Sequence, residues 1–381
     1  NLLRARLEID TAYLPELVVI GAAFSGLITR SMHENLIADV RVGGPPGSEP
    51  VSIVCRLFPQ SRNSFAVSVA VDSQANGRVW SDLVSDIPLT SEQTVNDEVT
   101  GLVFRLCQAV GEEILDPAFA KDPALQASIL AFEAVRKLFC IDKKNVAEAD
   151  LLLERAHEIA PRGVFLAWRA QICVIQQIER LKPDKQLNRE RAEWLSRSAM
   201  AADSTNSMIL AATANVNMML ERDYLGGLEL AKTSVRTNRA NPLGWHALSN
   251  AYLHSNDYAA GYRASVLAQS YSIGSRMKFW GDFQRSLGAA VVGRSEEALK
   301  YCTSAHALAP RFRPALRYLT LFNAMEGRME EARRRVGYLQ KLETDFTPDR
   351  LTKDKEYPVQ MMHKGGLMGS DQIKRVNALV D

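Results

Sequence analysis

One feature restricts this chain more than any other: a small residue recurs at a nearly fixed interval, at Ala149, Ala192, Gly227, Gly261, Ala298 and Ala332. The successive spacings are 43, 35, 34, 37 and 34 residues. A unit of about 34 residues holds two short helices and a turn, and one such pair cannot bury its apolar face alone. Neighbouring units must stack, and stacking then propagates a single architecture. The clearest unit reads Pro242-Leu-Gly-Trp245-His-Ala-Leu248-Ser249-Asn-Ala-Tyr252, followed by Asp257-Tyr258, Gly261 and Ala268. Gly293, Ala298, Ala305 and Pro310 mark the next unit, and Gly327, Ala332 and Leu339 the last. Glu148-Ala149, Ala156 and Pro161 mark an early one. Small residues let the two helices of a unit approach, aromatic and Leu positions fill the space between units, and a Pro stops the second helix. The register predicts six units, at 130–163, 164–207, 208–241, 242–278, 279–312 and 313–346, with 179–188 as an insertion in the second.

This spacing and the Trp, Leu, small, Tyr pattern resemble tetratricopeptide repeats. The resemblance implies an all-α right-handed superhelix whose groove, lined by the first helix of each unit, binds a peptide, a partner protein or a small effector. By repeat position the groove residues are Ala212, Val216, His246, Asn250, Phe283, Leu287, Arg317 and Leu321. Grooves of this family that clamp a carboxyl terminus present Lys and Asn at lining positions. Here Asn250 occupies one such place, but His246 stands where Lys would be, which argues against a chaperone-tail clamp. Trp245 is expected to be largely buried at a seam between units, with His246 pointing into the groove. Met218, Met219 and Leu220 are expected to pack between helices. Glu330 to Arg335 reads as a solvated face.

The first 120 residues differ. They hold eight Arg, no Lys and fifteen acidic residues, a net charge of −7, whereas the rest carries +9. Such a break marks a domain boundary. Val51–Phe58 and Ser64–Val71 alternate with period two around a short polar loop, which predicts an antiparallel hairpin. Asn76-Gly77 closes a second tight turn, and Arg78-Val-Trp80 forms a short third strand. Leu17–Ile20 reads as a buried strand. Residues 92–114 form an amphipathic helix through Val95, Val99, Leu102, Val103, Leu106, Val110 and Ile114, capped by Ser91. The expected organisation is a small α/β domain at 1–120, the array at 121–346 and a carboxyl-terminal extension at 347–381.

The chemistry-bearing motifs are missing. Gly43-Gly-Pro-Pro-Gly47 is not followed by Gly-Lys-Ser/Thr, so it reads as a flexible loop, and there is no G-x-G-x-x-G, G-x-S-x-G or H-E-x-x-H. Five isolated cysteines include one with a His at helical spacing (Cys302 and His306), and two ligands do not make a zinc site. His246 and His254 lie eight apart and form no metal pair. Neither a cofactor nor a catalytic residue is expected. Buried, reduced thiols fit a cytoplasmic protein. The longest apolar run, 17–28, is too short to span a bilayer and follows acidic residues, the wrong flank for a secretory signal. A net charge of +2 over 381 residues gives no general attraction to nucleic acid, and 46% hydrophobic with 24% charged residues excludes a disordered or fibrous chain. The start at Asn1 rather than Met suggests a piece of something longer.

The arrangement resembles a family of bacterial multi-domain regulators, CadC-like and HilA-like. In these an effector module, often a winged helix and sometimes a class III adenylate cyclase domain, precedes a domain similar to the amino-terminal domain of TolB, and repeats follow. The residues carrying the resemblance are Glu16-Leu-Val-Val-Ile20 with Phe24-Ser25, the hairpin 51–71, Gly77-Arg-Val-Trp-Ser81 before the helix 92–114, and Lys364-Gly-Gly-Leu367. The pattern is blurred at 30–50, and no effector domain is present. The resemblance implies the non-catalytic sensory or interaction region of a transcriptional regulator, binding DNA only through a domain these residues lack. The alternatives are the regulatory half of a class III cyclase and a free-standing scaffold; a homodimer is compatible with each.

Overall fold

The computed structural model describes residues 3–11, 15–35, 38–43, 49–89, 96–113, 123–182, 184–364 and 368–379. Five strands, β1 (Leu3–Thr11), β2 (Ala38–Val42), β3 (Val51–Pro59), β4 (Ser64–Ser73) and β5 (Gly77–Pro88), form one sheet in the order β2-β1-β3-β4-β5. β1 runs parallel to both β2 and β3, and β3, β4 and β5 form an antiparallel meander. The expected hairpin is β3–β4, in register from Val51 opposite Ser73 to Phe58 opposite Ala66. Gly77 takes φ +71° where the β4–β5 turn needs it. The third strand is longer than expected, reaching Pro88.

Leu17–Ile20 is not a strand. It lies in helix α1 (Pro15–Glu34), the crossover that joins parallel β1 and β2. Leu17, Ile20, Phe24, Ile28 and Met32 are buried at helical spacing, whereas Val18 and Val19 face outward at 53% and 47% exposure. The apolar run therefore belongs to two faces of a helix. α1 and α2 (Asp97–Glu113) cover the face of the sheet that Val51, Ile53, Cys55 and Leu57 supply. α2 begins later than residue 92: the Asn96 side chain accepts from Val99 N–H at 3.0 Å and caps it. The expected cap Ser91, most of the loop Gly43–Gly47, and Gly365–Leu367 lie outside the described residues.

Six helical hairpins follow: α3 (Pro123–Leu138) with α4 (Lys143–Ile159), α5 (Gly163–Ile178) with α6 (Lys185–Ala202), α7 (Ser207–Val216) with α8 (Tyr224–Thr237), α9 (Pro242–His254) with α10 (Tyr258–Ser272), α11 (Lys278–Val291) with α12 (Ser295–Leu308), and α13 (Arg313–Met325) with α14 (Met329–Leu342). The first hairpin starts at Pro123, a little before the register predicted. Acidic or amide side chains punctuate the array. Asp142, Asp184, Asn206, Asp223, Asn241 and Asp257 each accept from a backbone N–H of the helix they open. All six small marker residues fall on the second helix of their hairpin and are buried. At Gly261 a Cβ would come within 2.5 Å of Leu253 Cδ2, so the α9–α10 approach requires glycine. First helices are enclosed: every residue of α7 is buried, whereas α14 buries only Ala332, Val336 and Leu339.

Two sets of contacts give the array its form. The sheet layer docks along the turns that join successive units. Glu34 on α1 is buried and accepts from the Ser207 hydroxyl and, at 2.9 Å, from Asn238 Nδ2. Burial holds its carboxyl above the usual range. Arg162 donates to the His33 carbonyl at 3.0 Å, and Asp97 accepts from Arg239 at 2.9 Å and from the Tyr271 hydroxyl at 2.6 Å.

The second set closes the array on itself. Phe139, after α3, meets Trp168 on α5 and both Phe279 and Trp280 on α11, edge to face. Arg313 and Arg317 on α13 donate to the carbonyls of Glu179 (2.5 Å) and Ile178 (2.7 Å) at the end of α5. The segment after α14 joins in through three short helices, α15 (Arg350–Lys353), α16 (Gln360–Lys364) and α17 (Ser370–Asn377). The first two units thus touch the last two across the interior.

Of the five cysteines, Cys55, Cys107, Cys173 and Cys302 are buried, and burial pushes Cys55 and Cys302 up to about 12. Cys140 is exposed, against the expectation that all are buried, because it sits in the α3–α4 turn. Among the described residues no helix is long and apolar enough to cross a membrane.

Candidate functional site

Closure turns the groove into a walled cavity of about 640 Å³. Its wall comes mainly from first helices, with Gln171, Ile175 and Ile178 of α5, Asn215 of α7, His246, Asn250 and His254 of α9, Trp280, Phe283, Gln284 and Leu287 of α11, and Tyr318 of α13, joined by Lys185, Gln186 and Arg189 of α6 and Tyr224 of α8. Tyr357, Pro358 and Met361, beyond the last unit, complete it. α7 continues as one π-helical turn, Asn217–Glu221, which places Met218, Met219 and Leu220 on the wall as well. Met218 is buried against Gly227, as expected of an inter-helix contact, yet all three also face the cavity. Single π turns recur at functional sites.

Four of the eight predicted groove residues line this cavity: His246, Asn250, Phe283 and Leu287. The other four do not. Ala212 and Val216 are consumed by the packing of α7, which is buried on every side, and Leu321 is fully buried in the core of the last unit. Arg317 is fully buried and engaged. Its Nε and Nη2 donate to Glu343 Oε1 at 2.9 and 2.5 Å, and Nε also lies 3.2 Å from the Tyr357 hydroxyl. It is a clamp between unit six, the following segment and α5 rather than a groove residue.

His246 carries the site's most informative shift. Its ring stacks on Trp280 with centroids 5.6 Å apart and planes at 25°, and Asn250 Nδ2 lies 3.5 Å from Nδ1. The ring is half-buried and faces the cavity. Burial pushes its pKa down to about 4, so it is neutral at ordinary pH. Trp245 is the reverse of the expectation. It is half-buried at the unit edge, donates to the Arg239 carbonyl at 2.8 Å and meets Tyr271 edge to face.

Most charged groups on the cavity wall are already paired; Lys185, which is exposed, is the exception among the described residues. Arg180 reaches Glu343 (2.8 Å) and Asp345 (2.5 Å), Arg350 reaches Asp345 (2.6 Å) and Asp354 (3.0 Å), Arg222 reaches Glu356 (2.7 Å), and Arg189 reaches Glu221 (2.5 Å). Asp345 is held well below the usual carboxylate range, first by its bond from Arg180. Glu179 behaves oppositely: burial pushes it up to about 7, although Arg317 and Arg313 pull it down. Among the described residues no three His, Cys, Asp or Glu side chains gather in a way that would hold a metal ion. The sequence reasoning missed Asn215, Trp280, Tyr318 and Tyr357. Trp280 and Tyr318 were within reach of it, because both sit on first helices beside positions it chose.

No protein-family model matches the chain, and no curated protein is significantly similar to it. Solved structures similar to parts of the chain include repeat proteins. YrrB, a TPR protein with an unusual peptide-binding site, is 15% identical over 51% of this chain and 93% of its own, with a TM-score of 0.32. Yeast Tom70 is 16% identical over 70% of this chain and 58% of its own, with a TM-score of 0.37. A tetratricopeptide repeat protein from Parabacteroides merdae is 16% identical over 66% of this chain and 98% of its own, with a TM-score of 0.36.

Proposed function

We propose that the chain is the non-catalytic sensory and interaction region of a bacterial transcriptional regulator, and that the interior of its repeat array receives a small effector. In this reading residues 1–120 are a sheet domain that braces the array, 121–346 are the receiving array, and 347–381 close its interior. One observation carries the choice of a small effector over a long peptide. Contacts between its first and last units, with Tyr357, Pro358 and Met361, narrow the groove to a partly open cavity of about 640 Å³. That volume lies in the range of small-molecule sites, and its lining sets an apolar and aromatic surface beside amide, His and paired charged side chains.

Leu287 lines the cavity on α11. Filling the space with Leu287→Trp should abolish the thermal stabilisation that cavity ligands confer on the wild type in a metabolite-library screen. Stabilisation that survives Leu287→Trp would place the ligand elsewhere and defeat this reading. The chain alone should turn over no nucleotide or ester. Any DNA binding should be weak, independent of sequence and lost in moderate salt, so a sequence-specific footprint from these residues would also defeat it.

A further inference from the structure

Resting on the reading of the cavity as the receiving site, we propose that it takes an uncharged, largely planar small molecule that donates a hydrogen bond to Asn215 Oδ1 and stacks beside Trp280. Asn215 is 1% exposed and lines the cavity. Its Nδ2 donates to Gln171 Oε1 at 2.9 Å, whereas no described residue donates to its Oδ1. With the two amides paired in this sense, Nδ2 is used by Gln171 and Oδ1 is the atom left over. A buried amide oxygen without a donor is costly, and a ligand N–H or O–H would remove that cost.

A second wall atom points the same way. Glu179 is 1% exposed, and its Oε1 also lacks a partner, while Oε2 accepts from the Arg313 backbone N–H at 3.3 Å. Asn215 Oδ1 can only accept, and Glu179 Oε1 accepts whenever its carboxyl is ionised, so the missing partner is a donor. Apart from Lys185, which is exposed, the charged side chains of the described wall are compensated. Arg180, Arg189, Arg222 and Arg350 are each held by a carboxylate, and Glu179 faces Arg313 at 3.6 Å. Among these paired groups an ionic guest would surrender its water without a free counter-charge in return. The flat element is the His246–Trp280 stack, with Phe283 on the same wall. A planar molecule extends such a stack at little entropic cost.

The test titrates the full chain at pH 7.5 with four probes, by calorimetry and ligand-observed NMR: indole, 1-methylindole, indole-3-acetate and tryptamine. Indole, flat and neutral with one N–H, should bind about tenfold or more tightly than 1-methylindole, which lacks the donor. It should also outbind the anion and the cation. In Asn215→Leu the indole advantage should vanish while 1-methylindole still binds, a pattern that a misfolded variant would not give. If Asn215→Leu does not fold, the wild-type series decides alone. Equal affinities for indole and 1-methylindole, or a preference for either charged probe, would overturn the proposal. With binding still lost in Leu287→Trp, such a result would leave the cavity as a receiving site. No binding by any probe, or binding indifferent to Leu287→Trp, would overturn the cavity reading itself.

Discussion

His246 lies on Trp280 with its ring planes 25° apart, and burial alone draws its pKa down to about 4. An imidazole with a folded pKa below its unfolded value binds its proton first in the unfolded chain. Its contribution to stability is therefore complete above about pH 6.5 and is lost as pH falls toward 4. Allowing for its partial exposure, the loss across that window should be about 1–2 kcal/mol. Urea unfolding at pH 7.5, 6 and 5 should show this acid limb in the wild type and a flatter one in His246→Phe; identical limbs would refute it. Trp245, one residue earlier, keeps one edge in solvent. Trp245→Ala should accordingly cost about 2–3 kcal/mol in chemical denaturation, less than a fully buried Trp. A cost above about 4 kcal/mol would mean that the edge is closed in solution.

Among the elements, the join between α5, α13 and the segment after α14 is the most vulnerable. Arg317 and Glu343 are both buried, and removing one partner of a buried pair strands the other. Arg317→Met should cost about 3–5 kcal/mol, with faster hydrogen exchange in 343–364 and unchanged protection in α9 and α10. Uniform loss of protection would show that the join is not a separate unit. Much at this scale was legible in the sequence. Each hairpin reuses a small residue at the close approach, and the first four also open helices with a capping Asp or Asn, so six units could be placed from their markers. α1 was not legible as read, because Leu17-Val-Val-Ile20 looks like a strand until Phe24, Ile28 and Met32 are counted with it at helical spacing. β1 was missed although Leu3, Ala5, Leu7 and Ile9 alternate. The clamp at Arg317 left no mark at all. A repeat pattern records contacts between neighbours, and this residue meets α5, four units away.

For the molecule as a whole, closure changes how it should unfold. An open array of repeats melts unit by unit, because each unit contacts only its neighbours. Here units one and two meet five and six, and the sheet layer ties α1 and α2 to the turns around units two to five. Scanning calorimetry should therefore give one transition with calorimetric and van't Hoff enthalpies in agreement, and a broad or split transition would contradict the closure.

The docking of α1 also sets an order on the ribosome. Glu34 is made 173 residues before Ser207 and 204 before Asn238, the two side chains that satisfy it. At about 5–20 residues per second, the nascent chain waits roughly ten seconds or more for Ser207 alone. The carbonyls at the end of α5 wait in turn for Arg313 and Arg317, 134 and 139 residues downstream. Strand pairs and hairpins can form as they emerge, but joining them must follow the last unit, so a stalled chain would expose its inner helices.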